Sequence, residues 1–216
     1  MLNVIKNTLE LLILNHIFDI IIAEIVFNNL EENMMRQTTN KTKDLVYIAL
    51  FAVMMAVCSY ISIPTAIPFT MQTFAVFFAL NFLGGKKGTL SVCIYLLLGI
   101  IGLPVYANGT SGIGMIMGIT GGYMIGWIFS GLAMWIVEKL LCKKLWAQAV
   151  SMFIGLIVCY IIGTFWYMVV YAHDSGAIGL WTALTWCVFP FVIPDILKLG
   201  LALWLSQRLR KITKVV

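Results

Sequence analysis

Apolar residues run along this chain in long blocks rather than in stripes. After residue 44 six such blocks succeed one another, at about 45–62, 72–84, 89–103, 119–137, 147–171 and 177–207. Their periodicity is weak, as it is in segments surrounded by apolar matter on every side, so length is the better guide. A helix needs about 20 residues to cross a bilayer. The second and third blocks fall short of that, so either Phe69–Gln72 and Gly84–Gly88 extend them or they sit in a locally thin or protein-lined region. The last block holds Pro190 and Pro194, which predicts a short helix or bent entry followed by a main helix from about Phe191 to Gln207. The pattern predicts an all-α integral membrane protein, a six-transmembrane-helix bundle.

Composition agrees. The 216 residues are 62% hydrophobic and only 11% charged, with a mean hydropathy of +0.99. A water-soluble domain carries about 25% charged residues and keeps a large polar surface, and a disordered chain has low hydrophobicity, so both classes are excluded. The five cysteines have neither CxxC nor metal-ligand spacing, and there are only two histidines, His16 and His173. A zinc or haem site is not expected, and no disulfide framework is implied.

The net charge of +5 would suit nucleic acid, but its distribution removes that reading. Arg36, Lys41 and Lys43 precede the first block, Lys86 and Lys87 sit in the second turn, and Lys139, Lys143 and Lys144 fill the fourth. Arg208, Arg210, Lys211 and Lys214 form the tail. The alternate connections, about 63–71, 104–118 and 172–176, contain no Lys or Arg. By the positive-inside rule both ends of the six-helix unit face the cytoplasm. The expected location is a membrane, crossed several times.

The first 33 residues have another character. They hold one lysine against five acids, whereas the rest of the chain holds 13 basic residues against four acidic ones. Leu11 to Phe27 is apolar but interrupted by Asn15, His16, Asp19 and Glu24. Asn15, His16 and Asp19 share a helix face, which suits a peripheral helix at the membrane surface better than a seventh span, because Asp at a span centre costs about 2.5–3.5 kcal/mol. Alternatively, Met34 or Met35 is the natural start. The expected division is therefore an acidic, apolar extension over 1–33 and a membrane domain over 34–216.

Ionisable residues inside a span are expensive and mark function by default. One clear case stands here: Asp195 and Lys198 in Pro194-Asp-Ile-Leu-Lys198. Lys198 lies ten residues before Arg208, about 15 Å from the inner boundary, and Asp195 about 4.5 Å further out. The i, i+3 spacing puts them on one face, where they can pair. The alternative is an internal ion pair that ties the bundle together. Pro194 favours a ligand site, since it removes a backbone donor and frees a carbonyl that needs a partner.

Two outer connections can close over the pair: Ile63 to Gln72, stiffened by Pro64 and Pro68, and Gly102 to Gly112. Asn108 is either a turn residue before Gly109 or a binding group facing the cavity. Gly118, Gly122 and Gly126 recur every four residues and predict close helix approach. In the first span Ala49, Ala52 and Ala56 offer small residues, with Ala52 and Ala56 making a small-xxx-small pair, a spacing common by chance in apolar sequence.

Together these segments resemble the biotin-specific substrate-binding subunits of energy-coupling-factor transporters, the BioY family. The resemblance rests on Ile67-Pro-Phe-Thr-Met-Gln-Thr73, Gly84-Gly-Lys-Lys-Gly88, Tyr95-Leu-Leu-Leu-Gly-Ile-Ile-Gly-Leu-Pro-Val-Tyr106, Gly118-Ile-Thr-Gly-Gly-Tyr-Met-Ile-Gly126 and Pro190 to Lys198. It covers about Thr42 to Lys211 in collinear order. Ile119 stands where the family usually has proline, and the first 33 residues fall outside its pattern.

The resemblance implies a membrane subunit that captures biotin from outside and works with a transmembrane coupling subunit and two cytoplasmic ATPases. It implies that Asp195, Lys198 and Asn108 belong to the biotin pocket, and that Ala49, Ala52 and Ala56 dock the coupling subunit. Biotin would be cargo; no cofactor is implied, and the chain is not expected to be an enzyme. The residues suit this ligand, whose ureido ring carries two N–H donors and one acceptor. Asp195 can accept from N–H, while Lys198 or Asn108 donates to the carbonyl; alternatively Lys198 takes the valerate carboxylate. Phe69, Tyr106 and Tyr123 can enclose the apolar bicycle, with Thr70 and Gln72 as further polar contacts. Two other classes compete. A standalone proton-coupled carrier would titrate Asp195, and an intramembrane lipid-modifying enzyme would use Asp195 as general base. The enzyme needs a second convergent acid or nucleophile, whereas Glu138 sits at the cytoplasmic edge and Asp174 in an outer loop.

Overall fold

The computed structural model describes residues 41–63, 69–141 and 144–213. The expectations for residues 1–33, and for the middle of the connection between the first two blocks, lie outside the described residues. The chain divides into two units, Met1–Leu45 and Val46–Val216. Of the first, only the opening turn of a helix is described; the remaining elements all belong to the second.

The apolar blocks form helices, and the connection over 104–118 adds a short one. They are α1 (Lys41–Ser59), α2 (Gln72–Leu83), α3 (Gly85–Ile100), α4 (Ile113–Met117), α5 (Gly121–Leu140), α6 (Leu145–Ser175), α7 (Leu180–Cys187) and α8 (Phe189–Thr213). Two-residue strands β1 (Ser62–Ile63) and β2 (Phe69–Thr70) pair antiparallel between α1 and α2, with Ser62 opposite Thr70. Among the described residues four helices, α1, α5, α6 and α8, are long and apolar enough to cross a membrane. The last block divides as its prolines predict, into α7 and a longer α8 that carries Pro190 and Pro194 and runs on to Thr213.

Two apolar surfaces on each long helix explain the weak periodicity. On α6 the residues Phe153, Ile157, Ile161, Phe165 and Val169 are exposed at four-residue steps, while Met152, Leu156 and Cys159 are buried. One stripe suits the protein core and the other suits lipid, so no polar face remains to mark the helix. α2 is the limiting case. All of its residues except Thr73 are buried, and Phe51 of α1 packs on Phe78 and Phe82.

Close approach of α5 and α6 depends on glycine. A Cβ added at Gly122 would stand 2.2 Å from Trp166 Cβ, and one at Gly126 would stand 3.2 Å from the Cys159 carbonyl oxygen. Gly118 departs from the expected series. It ends α4 and its carbonyl accepts from Trp166 Nε1 at 3.0 Å, because the backbone leaves the helix before α5 begins.

Several polar groups in the bundle are satisfied locally, as an apolar surrounding favours. Ser91 donates to the Ile48 carbonyl at 2.7 Å, and Ser130 donates to Gly155 O at 2.7 Å. At the far end of α2, Arg210 Nη2 donates to the carbonyls of Asn81 and Phe82. Glu138 accepts the Gly85 N–H at 2.7 Å where α3 begins. These charges meet the open carbonyls and amides that helix ends leave.

Candidate functional site

Helix α8 turns one stripe inward: Asp195, Lys198, Leu199, Ala202 and Ser206 are all buried. This spacing, i, i+3, i+4, i+7 and i+11, is one face of a 3.6-residue helix. It brings a carboxylate and an ammonium into the protein as a pair. Lys198 Nζ lies 2.9 Å from Asp195 Oδ1, and the two side chains are only 7% and 6% exposed. Asp195 Oδ2 accepts from the Tyr160 hydroxyl of α6 at 2.8 Å. The ammonium also sits 4.0 Å from the centroid of the Phe69 ring, and Phe69 in turn stacks on Phe191, centroids 6.2 Å apart.

Such a pair is costly to bury, since each ion loses several kcal/mol of hydration. It is held because each carboxylate oxygen has a donor and the ammonium faces a π surface. Pro194, immediately before Asp195, has no N–H, so the carbonyl of Pro190 one turn earlier lacks its helical donor.

Asp195 and Tyr160 form part of the wall of a cavity of about 760 Å³, its open mouth included. Thr70 and Gln72 contribute from β2 and the start of α2, Tyr106 and Ala107 from the connection between α3 and α4, and Met115 from α4. Tyr123 and Trp127 come from α5, Cys159 from α6 and Phe191 from α8. The wall is therefore largely aromatic and apolar, with a few placed polar atoms. It can enclose a flat apolar body while Asp195 accepts hydrogen bonds from it.

Two of the tyrosines on this wall, Tyr106 and Tyr123, have their hydroxyls engaged elsewhere. Tyr106 donates to Leu96 O at 2.6 Å and meets Tyr95 edge to face, centroids 5.9 Å apart. Burial pushes the Tyr106 phenol up to about 12. The Tyr123 hydroxyl lies 3.3 Å from Thr164 Oγ1 and 3.5 Å from the Cys187 carbonyl. Both rings are thus fixed, and they offer the cavity carbon rather than oxygen.

Of the residues singled out in the sequence, Thr70, Gln72, Tyr106, Tyr123 and Asp195 come together on one cavity wall. Lys198 and Phe69 stand directly behind it, joined through Asp195 and Phe191. Asn108 stands apart. It has φ +58° in a 3-10 turn, it is exposed, and its Oδ1 accepts from the Ser62 hydroxyl at 2.6 Å. The positive φ, which asparagine tolerates, suits a turn, and the Ser62 contact joins the two outer connections. Its neighbour Ala107 reaches the cavity instead. The three alanines of α1 also separate: Ala49 is exposed, Ala56 is half-buried, and Ala52 is 1% exposed inside the protein's own core.

Sequence reasoning missed Tyr160, Trp127, Cys159, Met115 and Phe191. Each sits in an apolar run where an aromatic or sulfur side chain reads as packing. The one available signal was a tyrosine in the middle of the longest span, since a buried hydroxyl needs a partner.

The BioY family model matches residues 32–215. The chain belongs to the BioY family. It is 36% identical over 171 residues to the biotin transporter BioY of Thermotoga maritima, which covers 79% of this chain and 97% of that one. Against the biotin transporter BioY2 of Lactococcus lactis, identity is 35% over 160 residues, or 73% and 85% of the two chains. Among solved structures, the S-component for biotin from an ECF-type ABC transporter matches with a TM-score of 0.71 at 28% identity, over 80% of this chain and 93% of that one. This BioY-family chain is accordingly a multi-pass membrane protein and a transporter component rather than an enzyme.

Proposed function

We propose that this chain is the biotin-binding subunit of an energy-coupling-factor transporter in a bacterial cell membrane, capturing biotin from outside for import driven by partner proteins. The observation that carries the reading is the buried Asp195–Lys198 pair beside an aromatic-walled cavity, in a chain whose relatives are named biotin transporters. Asp195 accepts a ureido N–H, and the rings of Tyr106, Tyr123 and Trp127 enclose the bicycle. Lys198 serves the ligand's carbonyl or carboxylate once Phe69 uncovers it. Thr70 and Gln72 add polar contacts from the rim of α2, and Asn108 holds the outer connections together.

Six helices, α1, α2, α3, α5, α6 and α8, cross the membrane in this reading, with both ends cytoplasmic. Apart from Lys6 and the intramembrane Lys198, the basic residues lie at the two ends of the six-helix unit and in alternate connections, which supports it. α2 is too short to span lipid alone, with 12 residues giving about 18 Å. Because protein surrounds it, it need not meet lipid along its whole length. The partners are a transmembrane coupling subunit and two cytoplasmic ATPases. The exposed edge of α1 at Ala49, with half-buried Ala56, is the side offered to the coupling subunit, while Ala52 sets how tightly α1 packs behind it.

Uptake of labelled biotin tests the reading in cells that lack other biotin transport. Import is expected only when the coupling subunit and its ATPases are co-expressed with this chain. Equal import without any coupling ATPase would instead make it a standalone carrier.

A further inference from the structure

One buried tyrosine lies outside the cavity wall yet controls a group on it. Tyr95 of α3 is 0% exposed. Its hydroxyl donates to the Val105 carbonyl at 2.9 Å and accepts from Gln72 Nε2. Gln72 lines the cavity, and its Oε1 lies 3.4 Å from Thr70 Oγ1, which donates to it. The Thr70 oxygen in turn accepts the backbone N–H of Gln72 at 3.2 Å.

The direction of this chain of hydrogen bonds is set at its end. A carbonyl can only accept, so the Tyr95 proton goes to Val105. The Tyr95 oxygen must then accept, which turns the amide nitrogen of Gln72 towards it and the amide oxygen towards Thr70 and the cavity. The opposite amide orientation would take the Tyr95 proton away from Val105. Only one orientation keeps both bonds.

We infer that Tyr95 is a positioning residue: by holding the Gln72 amide with its oxygen on the cavity side, it makes Gln72 an acceptor for a ring N–H of the ligand. This rests on the biotin reading. Two acceptors then face the cavity, Gln72 Oε1 and the Asp195 carboxylate, and the ligand it selects has two N–H donors, as the ureido ring does. An analogue with a ring oxygen opposite Gln72 would meet two facing lone pairs, the kind of mismatch that buried polar sites reject strongly.

The test compares biotin with its two cyclic carbamate analogues, each with one ring N–H replaced by oxygen, on purified full-length wild type and Tyr95→Phe. In wild type one analogue is expected to bind at least 30-fold more weakly than biotin. In Tyr95→Phe the amide is free to turn, so biotin weakens severalfold while that analogue binds as well as before or better, and the ratio falls at least fivefold. Loosened packing cannot produce this, because it weakens both ligands together. Equal weakening of both, or an unchanged ratio, overturns the inference. Should Tyr95→Phe not fold, Gln72→Leu removes the same acceptor and must also lower the ratio; an unchanged ratio there overturns it too. A wild type that binds no biotin removes the biotin reading and this inference with it. A wild type that binds biotin but shows unchanged ratios removes the inference alone.

Discussion

Replacing Asp195 by asparagine changes one atom and keeps the shape of the side chain, so it isolates the charge. In the wild type, Oδ1 accepts from Lys198 at 2.9 Å and Oδ2 from Tyr160 at 2.8 Å. The amide can keep both contacts only with its oxygen on Lys198 and its nitrogen on a Tyr160 hydroxyl turned to accept. What it loses is the negative charge, both for Lys198 and for the ligand. A hydrogen bond to a charged group contributes about 1.5–3 kcal/mol. At about 1.4 kcal/mol per tenfold, Asp195→Asn should weaken biotin by about 10- to 150-fold.

The variant also leaves the Lys198 ammonium, 7% exposed, without a counter-charge. Removing one partner of a buried pair destabilises by about 3–5 kcal/mol, more than removing both. Thermal unfolding in detergent should therefore rank wild type above Asp195→Asn/Lys198→Met, and that double variant above Asp195→Asn alone. Equilibrium binding of labelled biotin should be weakened in both variants. Unchanged affinity in Asp195→Asn would refute the reasoning, because no charged acceptor would then be needed at this wall. Equal stability of the single and double variants would refute the argument about the buried charge.

Three further outcomes are expected from other contacts. Tyr160→Phe removes one donor from Asp195 Oδ2, so biotin affinity should fall about fivefold, from about 1 kcal/mol, without loss of fold; titration of labelled ligand reads it. Asn108→Gly keeps the positive φ and removes only the Ser62 contact, so affinity should change less than about threefold; a loss of about tenfold would show that the side chain meets the ligand. Gly122→Val forces atoms into Trp166, where even a Cβ would stand 2.2 Å away, so overpacking should destabilise the α5–α6 pair by about 1–3 kcal/mol and lower the unfolding temperature in detergent.

The helices were legible because their ends are marked rather than because their faces are. Lys86 and Lys87, Lys139, and Arg208 to Lys211 cluster near the helix ends, and the prolines of the last block mark the division between α7 and α8. What length cannot show is which side of a helix faces inward when both are apolar, as on α6. That is why Tyr160, 35 residues before its partner, went unseen. The short α4 was hidden as well, since Ile113 to Met117 lies among glycines and is too brief for any period to register. Asp195 and Lys198 were legible for the opposite reason: a charge inside an apolar block has no cheap structural explanation. The positive φ of Asn108 was not legible, because asparagine before glycine serves equally as a turn residue and as a binding group.

The measurement that meets the central claim most directly is equilibrium binding of radiolabelled biotin to the purified wild-type chain, with excess unlabelled biotin, thiamine and riboflavin as competitors. Saturable binding displaced by biotin and not by the other two vitamins is the predicted result. Binding that is absent, or displaced equally by all three, would contradict it.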